Sequence, residues 1–389
     1  MQYSNTKPSI IRHSVPKFRA ERAFSLKSFI TGNAVLMTAI IAALITSVIV
    51  PPDAAYVDYF DFKTLSCLFS VLAVVCALRS INFFTLLARR IVAKFRDLRS
   101  CFLALIYITF IGSMFIANDM ALLTFLPLGW MVVEQTGKTK YTAFLFIMQN
   151  ISANLGGMLT PFGNPQNLYL YTKFQIPNLE FMAIMAPPFI LSVLLITLCC
   201  IVFVKPEPME IKDEQLSLPV GKTIVYLILF LLAIVIVFRG IPYWIGLIVI
   251  PAVLLFMDRK SLAMVDYPLL FTFVFFFIFS GNMARIGAVR ELFSMLLQKS
   301  TLLFSVASCQ VISNVPSAIL LSQFTENYRE LLLGVNIGGV GTLISSLASL
   351  ITFREYTKHN KGKTIYYVLL FSAFNFAFLA VLALFVMIF

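Results

Sequence analysis

Two short polar clusters interrupt long apolar runs, and they have the residue types needed to handle ions. The first reads Phe115-Ile116-Ala117-Asn118-Asp119-Met120, and the second reads Ser313-Asn314-Val315-Pro316. Polar side chains in the middle of an apolar stretch are costly in hydrocarbon, so they are expected to face protein or water. Asn and Asp favour helix starts, and Pro316 suits a first helical turn. One reading of each cluster is therefore simple capping of a second half-helix after a sharp turn. The other is a hairpin tip that presents oxygens and a helix N-terminus at mid-membrane depth.

Two further segments are richer still. Residues 150–167 carry Asn150, Ser152, Asn154, Gly156, Gly157, Thr160, Pro161, Gly163, Asn164, Pro165, Gln166 and Asn167. The prolines break a helix and the glycines permit unusual backbone angles. Unwound backbone is tolerated inside a membrane only where protein or a water-filled cavity satisfies it. Its carbonyls can ligate a hard cation, and the N-terminus of a resumed half-helix can hold an anion. The matching segment from Gly334 to Leu350 carries Asn336, Gly338, Gly339, Gly341, Thr342, Ser345, Ser346 and Ser349. Its glycines also suit close helix packing. The candidate substrate residues are Asn118, Asn154, Asn164, Ser313, Asn314, Asn336 and Thr342. The candidate cation ligands are Asp119, Asn118, Thr160, Gly163, Asn314, Thr342 and Ser345. Asp119 is the one acidic residue expected near the midplane, and no Arg or Lys lies in the four segments. A bound anion is thus expected to rely on helix N-termini, amide donors and a co-bound cation or proton.

The elements that must position these residues are membrane helices. The chain has 389 residues, 60% of them hydrophobic and 12% charged. Its mean hydropathy is +0.91. Soluble domains are less apolar and about a quarter charged. A bilayer needs about 20 apolar residues per helix. Full spans are expected near 29–50, 63–79, 142–172, 181–204, 222–239, 241–257, 267–283, 330–353 and 364–388. The interrupted stretches 100–134 and 300–327 are expected to re-enter rather than cross. Lysines and arginines then gather on one side, in the tail 1–28, in 79–99, and in the loops near 138, 205–222, 259 and 354–363. The excess marks that side as cytoplasmic, with the C-terminus external. The net charge of +12 is accordingly read as orientation charge and not as a nucleic-acid surface.

The same order of elements occurs twice, with an amphipathic segment at 80–98 and again at 284–299. Asp61 and Asp266 open corresponding spans. Ile116-Ala117-Asn118 matches Ile312-Ser313-Asn314, and Asn154-Leu155-Gly156-Gly157 with Thr160 matches Asn336-Ile337-Gly338-Gly339 with Thr342. One intervening helix flips the second half, which predicts an inverted repeat. The expected architecture is all-α and polytopic: a basic tail (1–28), a first repeat (29–204), a linker and connecting helix (205–240) and a second repeat (241–389). The six cysteines form no paired signature, and the two histidines lie in cytoplasmic segments. No nucleophile–base or paired-carboxylate constellation is apparent, so the reading is a transporter rather than an enzyme.

The segments around Asn118-Asp119, Asn154 to Asn167, Ser313 to Pro316 and Gly334 to Ser349 resemble those of the ion transporter superfamily. That group includes citrate transporters, divalent anion–sodium symporters, arsenite permeases and some sodium/proton antiporters. The resemblance spans about 29–389. It implies a dimerising scaffold, a transport domain that moves as an elevator, and amphipathic arms joining the two. The symporter branch has Ser-Asn-Thr at both tips, where this chain has Ala-Asn-Asp and Ser-Asn-Val. Asn118 and Asn314 carry over, and Asp119 leans toward the arsenite and antiporter branches. The expected function is secondary transport of a small anion, a di- or tricarboxylate, coupled to sodium or protons, in a homodimer in a bacterial inner membrane. Arsenite or antimonite efflux, sodium/proton exchange and an ion channel are the alternatives.

Overall fold

The computed structural model describes residues 33–209 and 217–388. The tail 1–28 and part of the linker therefore lie outside the described residues. The described chain is a helical membrane protein. The first half runs α1 (Ala34–Ile49), α2 (Phe62–Ser80), α3 (Phe83–Val92), α4 (Leu98–Ile116), α5 (Asn118–Gln135), α6 (Thr142–Gly156), α7 (Pro165–Lys173) and α8 (Asn178–Phe203). A connecting helix α9 (Val220–Val237) follows. The second half runs α10 (Tyr243–Met257), a short α11 (Arg259–Ala263), α12 (Tyr267–Arg285), α13 (Gly287–Lys299), α14 (Thr301–Ile312), α15 (Asn314–Leu321), α16 (Tyr328–Ile337), α17 (Leu347–His359) and α18 (Thr364–Ile388).

The starts of these helices follow from their caps. Asp61 accepts from Thr64 N at 2.9 Å, Asp97 from Ser100 N at 3.0 Å and Asp266 from Leu269 N at 3.0 Å. Ser300, Asn327 and Ser346 do the same for α14, α16 and α17. Among the described residues, six helices are long and apolar enough to cross a membrane: α2, α4, α8, α9, α12 and α18. Helices α1 and α10 are shorter but apolar. Helix α4 is also one arm of a hairpin with α5. Gly112 of α4 faces the Phe125 ring of α5, and the turn between the arms at Ala117 is buried. Helices α14 and α15 fold back likewise, with Ser308 Oγ 2.9 Å from Ser317 Oγ. Helix α13 meets α14 at a 120° bend.

Ion pairs and charged hydrogen bonds join residues read as lying on one side. Lys138 and Lys140 pair with Glu207, and Asp258 accepts from Ser80 and Ser261. At the opposite end, Arg285 binds Asp53 at 2.7 Å and Tyr328 donates to Glu180 at 2.6 Å. The Arg285 guanidinium beside Asp53 holds that carboxyl below the usual carboxylate range, and Lys138 does so for Glu207.

Candidate functional site

Each hairpin tip is a non-glycine residue in a backbone region that strongly favours glycine. Ala117 has φ 62° and ψ 150°, and Ser313 has φ 75° and ψ 159°. The kink aims the next residue, an Asn, at the break in a broken helix. Asn118 N donates to Gly163 O at 3.2 Å, and Asn314 N to Ser345 O at 2.9 Å. Asn118 Oδ1 accepts from Asp119 N at 2.9 Å, and Asn314 Oδ1 from Val315 N at 2.9 Å. Four residues before each Asn, a carbonyl takes a threonine hydroxyl. Thr160 Oγ1 donates to Met114 O at 2.6 Å, and Thr342 Oγ1 to Gln310 O at 3.0 Å. Asn118 and Asn314 are thus the first residues of α5 and α15 at the hairpin tips, each satisfying the next N–H, while the cap positions Ala117 and Ser313 make no side-chain cap bond.

The breaks are tight because glycine permits it. A Cβ on Gly157 would lie 2.7 Å from Gly163 O, and one on Gly339 would lie 3.1 Å from Asn314 Nδ2. The carbonyls of Gly163 and Ser345, expected to be free for a cation, each accept from a tip N–H. A carbonyl has two lone pairs: Gly163 O keeps one, whereas Ser345 O also accepts from Ser313 Oγ at 3.3 Å.

Between the tips lies a cavity of about 220 Å³. Asn118, Asp119, Ser313 and Asn314 line it from the hairpins, Gln166 from α7, and Ser346 and Arg354 from α17 and its cap. Asp266, the cap of α12, completes its charged lining. The N-termini of α5, α7, α15 and α17 converge there, as Asn118, Pro165, Asn314 and Leu347 all line it. Asp119 Oδ1, Asn164 Oδ1 and Gln166 Oε1 are buried acceptors without a hydrogen-bond partner among the described residues.

The other expected residues form a buried amide network behind this cavity. Asn154 Oδ1 accepts from Asn118 Nδ2 at 3.1 Å and from Ser346 Oγ at 2.8 Å. Asn164 Nδ2 donates to Asn154 O and to Asn336 Oδ1, both at 3.2 Å. Asn336 Nδ2 donates to Asn167 Oδ1 at 2.6 Å. Asn154, Asn164, Asn336 and Thr342 are thus outside the cavity lining, one layer back. Thr160, Gly163 and Ser345 sit where tips and breaks join. Among the described residues no cluster of His, Cys, Asp or Glu suits a metal ion that needs such ligands.

Two expectations are corrected. Asp119 is not the only acidic residue at the site, since Asp266 lines the same cavity. The site does not lack a cationic side chain, since Arg354 lines it too. The polar segment read from the sequence ends at Leu350, yet α17 runs on to His359. Leu347, Leu350, Ile351 and Arg354 fall at i, i+3, i+4 and i+7, one helical face. That spacing was the available signal. Gln166 and Ser346 were also absent from the expected ligands, although both belong to the polar segments already singled out.

A family model described as citrate transporter matches residues 27–327 of the chain. An uncharacterized transporter of Methanocaldococcus jannaschii is 34% identical over 319 residues, covering 81% of this chain and 86% of the relative. The inner membrane protein YbiR of Escherichia coli strain K12 is 28% identical over 305 residues, 76% of this chain and 80% of the relative.

Proposed function

The chain belongs to the citrate transporter family, and from that premise we propose that it carries a small di- or tricarboxylate by secondary active transport, coupled to sodium or protons. One observation carries this reading: the N-termini of α5, α7, α15 and α17 and two hairpin tips meet at one cavity, which sets Asp119, Asp266 and Arg354 among apolar side chains. Helix N-termini favour anions. Ionised Asp119 and Asp266 oppose them, so an anion entering this cavity needs a partner cation or proton. The partnerless oxygens of Asp119, Asn164 and Gln166 are of the type that hard cations take. Sodium is the candidate coupling cation: Asp119, Asn118 and Asn314 of its expected ligands line the cavity, while Thr160, Gly163, Thr342 and Ser345 lie behind them at the tips and breaks. Protonation of Asp119 is the other route to the same charge balance.

The two halves, 29–204 and 241–389, are read as inverted repeats joined by 205–240. The mirrored bonds of Asn118 with Gly163 and Asn314 with Ser345 support that reading. Among the described residues, each ion pair joins groups assigned to the same face, which supports the orientation. The N-terminus is then cytoplasmic and the C-terminus external. Transport proceeds by elevator-type alternating access in a homodimer in the plasma membrane.

The test is uptake of labelled citrate and succinate into proteoliposomes under imposed sodium or proton gradients, with wild type and Asp119→Asn. The expected outcome is gradient-driven uptake that Asp119→Asn abolishes. Folded protein that takes up neither acid under any gradient would overturn the carboxylate reading. Arsenite flux or sodium/proton exchange would then be the activities to assay.

A further inference from the structure

Arg354 is the cationic side chain of the cavity lining. Arg354 is exposed, and among the described residues its guanidinium forms no ion pair with Asp119, Asp266 or any other carboxylate. Its basic neighbours on α17 are engaged. Lys358 Nζ lies 3.2 Å from Glu355, and His359 Nε2 lies 3.0 Å from the same carboxylate while its ring stacks on Trp130. Arg354 is set apart from them by facing the cavity.

Its position relative to the anion-favouring end of α17 follows from helix geometry. Leu347 begins the helix at the cavity, and Arg354 lies seven residues on along the same face. Seven residues rise about 10 Å along the axis. Helical side chains lean back toward the N-terminus, so the guanidinium comes closer to the helix start than its Cα. The cavity thus has two separate positive features on one wall: the α17 N-terminus with its Ser346 cap, and the Arg354 fork beyond. A monocarboxylate can use one of them. A short diacid can use both. Arg suits the second place because its planar fork binds a carboxylate through two parallel hydrogen bonds, which Lys does not.

We propose that Arg354 binds the second carboxylate of the substrate and makes the transporter selective for di- and tricarboxylates over monocarboxylates. This rests on the carboxylate reading above. The first carboxylate stays with the tips and helix N-termini, while the second is held at the mouth of the cavity. A residue that served only to orient the chain by its positive charge would not alter which acid is chosen.

The probes are succinate and its monomethyl ester, which keep one backbone and differ by one negative charge. Uptake is measured in proteoliposomes with wild type, Arg354→Ala and Arg354→Lys. The wild type is expected to prefer succinate. Loss of a charge-assisted pair should raise the succinate KM roughly 10- to 100-fold in Arg354→Ala. Its maximal rate should change little, and its preference over the monoester should disappear. Arg354→Lys should keep part of the preference with a weaker KM. An Arg354→Ala protein that stays monodisperse and keeps the wild-type preference would overturn the proposal. A wild type that transports both compounds without preference would overturn it while leaving carboxylate transport intact. A wild type that transports no carboxylate would overturn both readings.

Discussion

Asn154 offers the sharpest test of how the site is held together, because one side chain joins three parts of the chain. Its Oδ1 accepts from the first hairpin tip through Asn118 Nδ2 and from the α17 cap through Ser346 Oγ, and its Nδ2 donates to Asn150 O at 3.1 Å. Asn154 is 2% exposed, Asn118 3% and Ser346 1%, so water does not simply replace a lost partner. Truncation in Asn154→Ala removes three hydrogen bonds and strands two buried donors, and each stranded donor costs about 1–3 kcal/mol. The adjacent cavity can admit water to part of the gap, so the expected loss is toward the lower end, about 2–4 kcal/mol. The measurement is equilibrium unfolding in mixed micelles of wild type, Asn118→Ala, Asn154→Ala and the double variant. Because Asn118→Ala also removes the donor that Asn154→Ala strands, the double variant should lose less than the sum, by about 0.5–1.5 kcal/mol. A loss below about 0.5 kcal/mol, or strict additivity, would refute the reasoning.

Two further predictions concern the tips and the second break. Replacing Ala117 with Gly should stabilise the protein: its backbone region costs a non-glycine about 1–3 kcal/mol and glycine forfeits about 0.5–1 kcal/mol in entropy, so the net gain is about 0.5–2 kcal/mol. A higher thermal midpoint supports this, and an unchanged or lower one counts against it. Gln310 clamps the second break, donating to Gly338 O at 2.9 Å and Val340 O at 3.3 Å and accepting from Thr342 N at 2.9 Å. Gln310→Ala should cost about 2–4 kcal/mol and speed hydrogen exchange at the Thr342 amide. Unchanged exchange there would mean that the break is held by other contacts.

The breaks and hairpins were legible in the sequence because their signals are local. Pro161 and Pro165 fall close together among glycines and polar residues, and the structure interrupts the helices between Gly156 and Pro165 and between Ile337 and Leu347, whereas the isolated Pro127 and Pro251 stay inside helices. The amphipathic segments at 80–98 and 284–299 appear as α3 with its flanks and α13. What was not legible depends on contacts between distant residues. Nothing near Asn154 announces that its oxygen meets Ser346, 192 positions away. Arg354 read as one more basic residue beyond a span, because only the length of α17 places it over the cavity. Asp266 read as the opening of a helix, which it is, since its cap bond to Leu269 leaves the rest of the carboxylate facing the site.

The distribution of polar bonds bears on what moves. Within each half the tip is bonded to its own break, Asn118 to Gly163 and Asn314 to Ser345. Between halves, Asn154 meets Ser346, Asn164 meets Asn336, and Asn150 Nδ2 meets Ser349 Oγ at 3.3 Å. Hairpins and broken helices are therefore tied into one body by buried amides, whose separation would strand several donors at once. The contacts of that body with α2, α9 and α12 have a different character. Phe162 lies edge-on to Phe238 and Tyr169 packs on Phe277, with ring centroids 5.7 and 5.6 Å apart. Arg239 adds a bond to Tyr171 O at 2.7 Å, with its guanidinium over the ring, and Arg79 of α2 donates to Met120 Sδ of α5 at 3.7 Å. Ring packing can be exchanged for other ring packing as surfaces slide, whereas the amide network cannot be broken without leaving buried groups unpaired. On the alternating-access reading proposed above, the seam that slides is the aromatic one. The cost of leaving this state then falls chiefly on the Arg239–Tyr171 and Arg79–Met120 contacts.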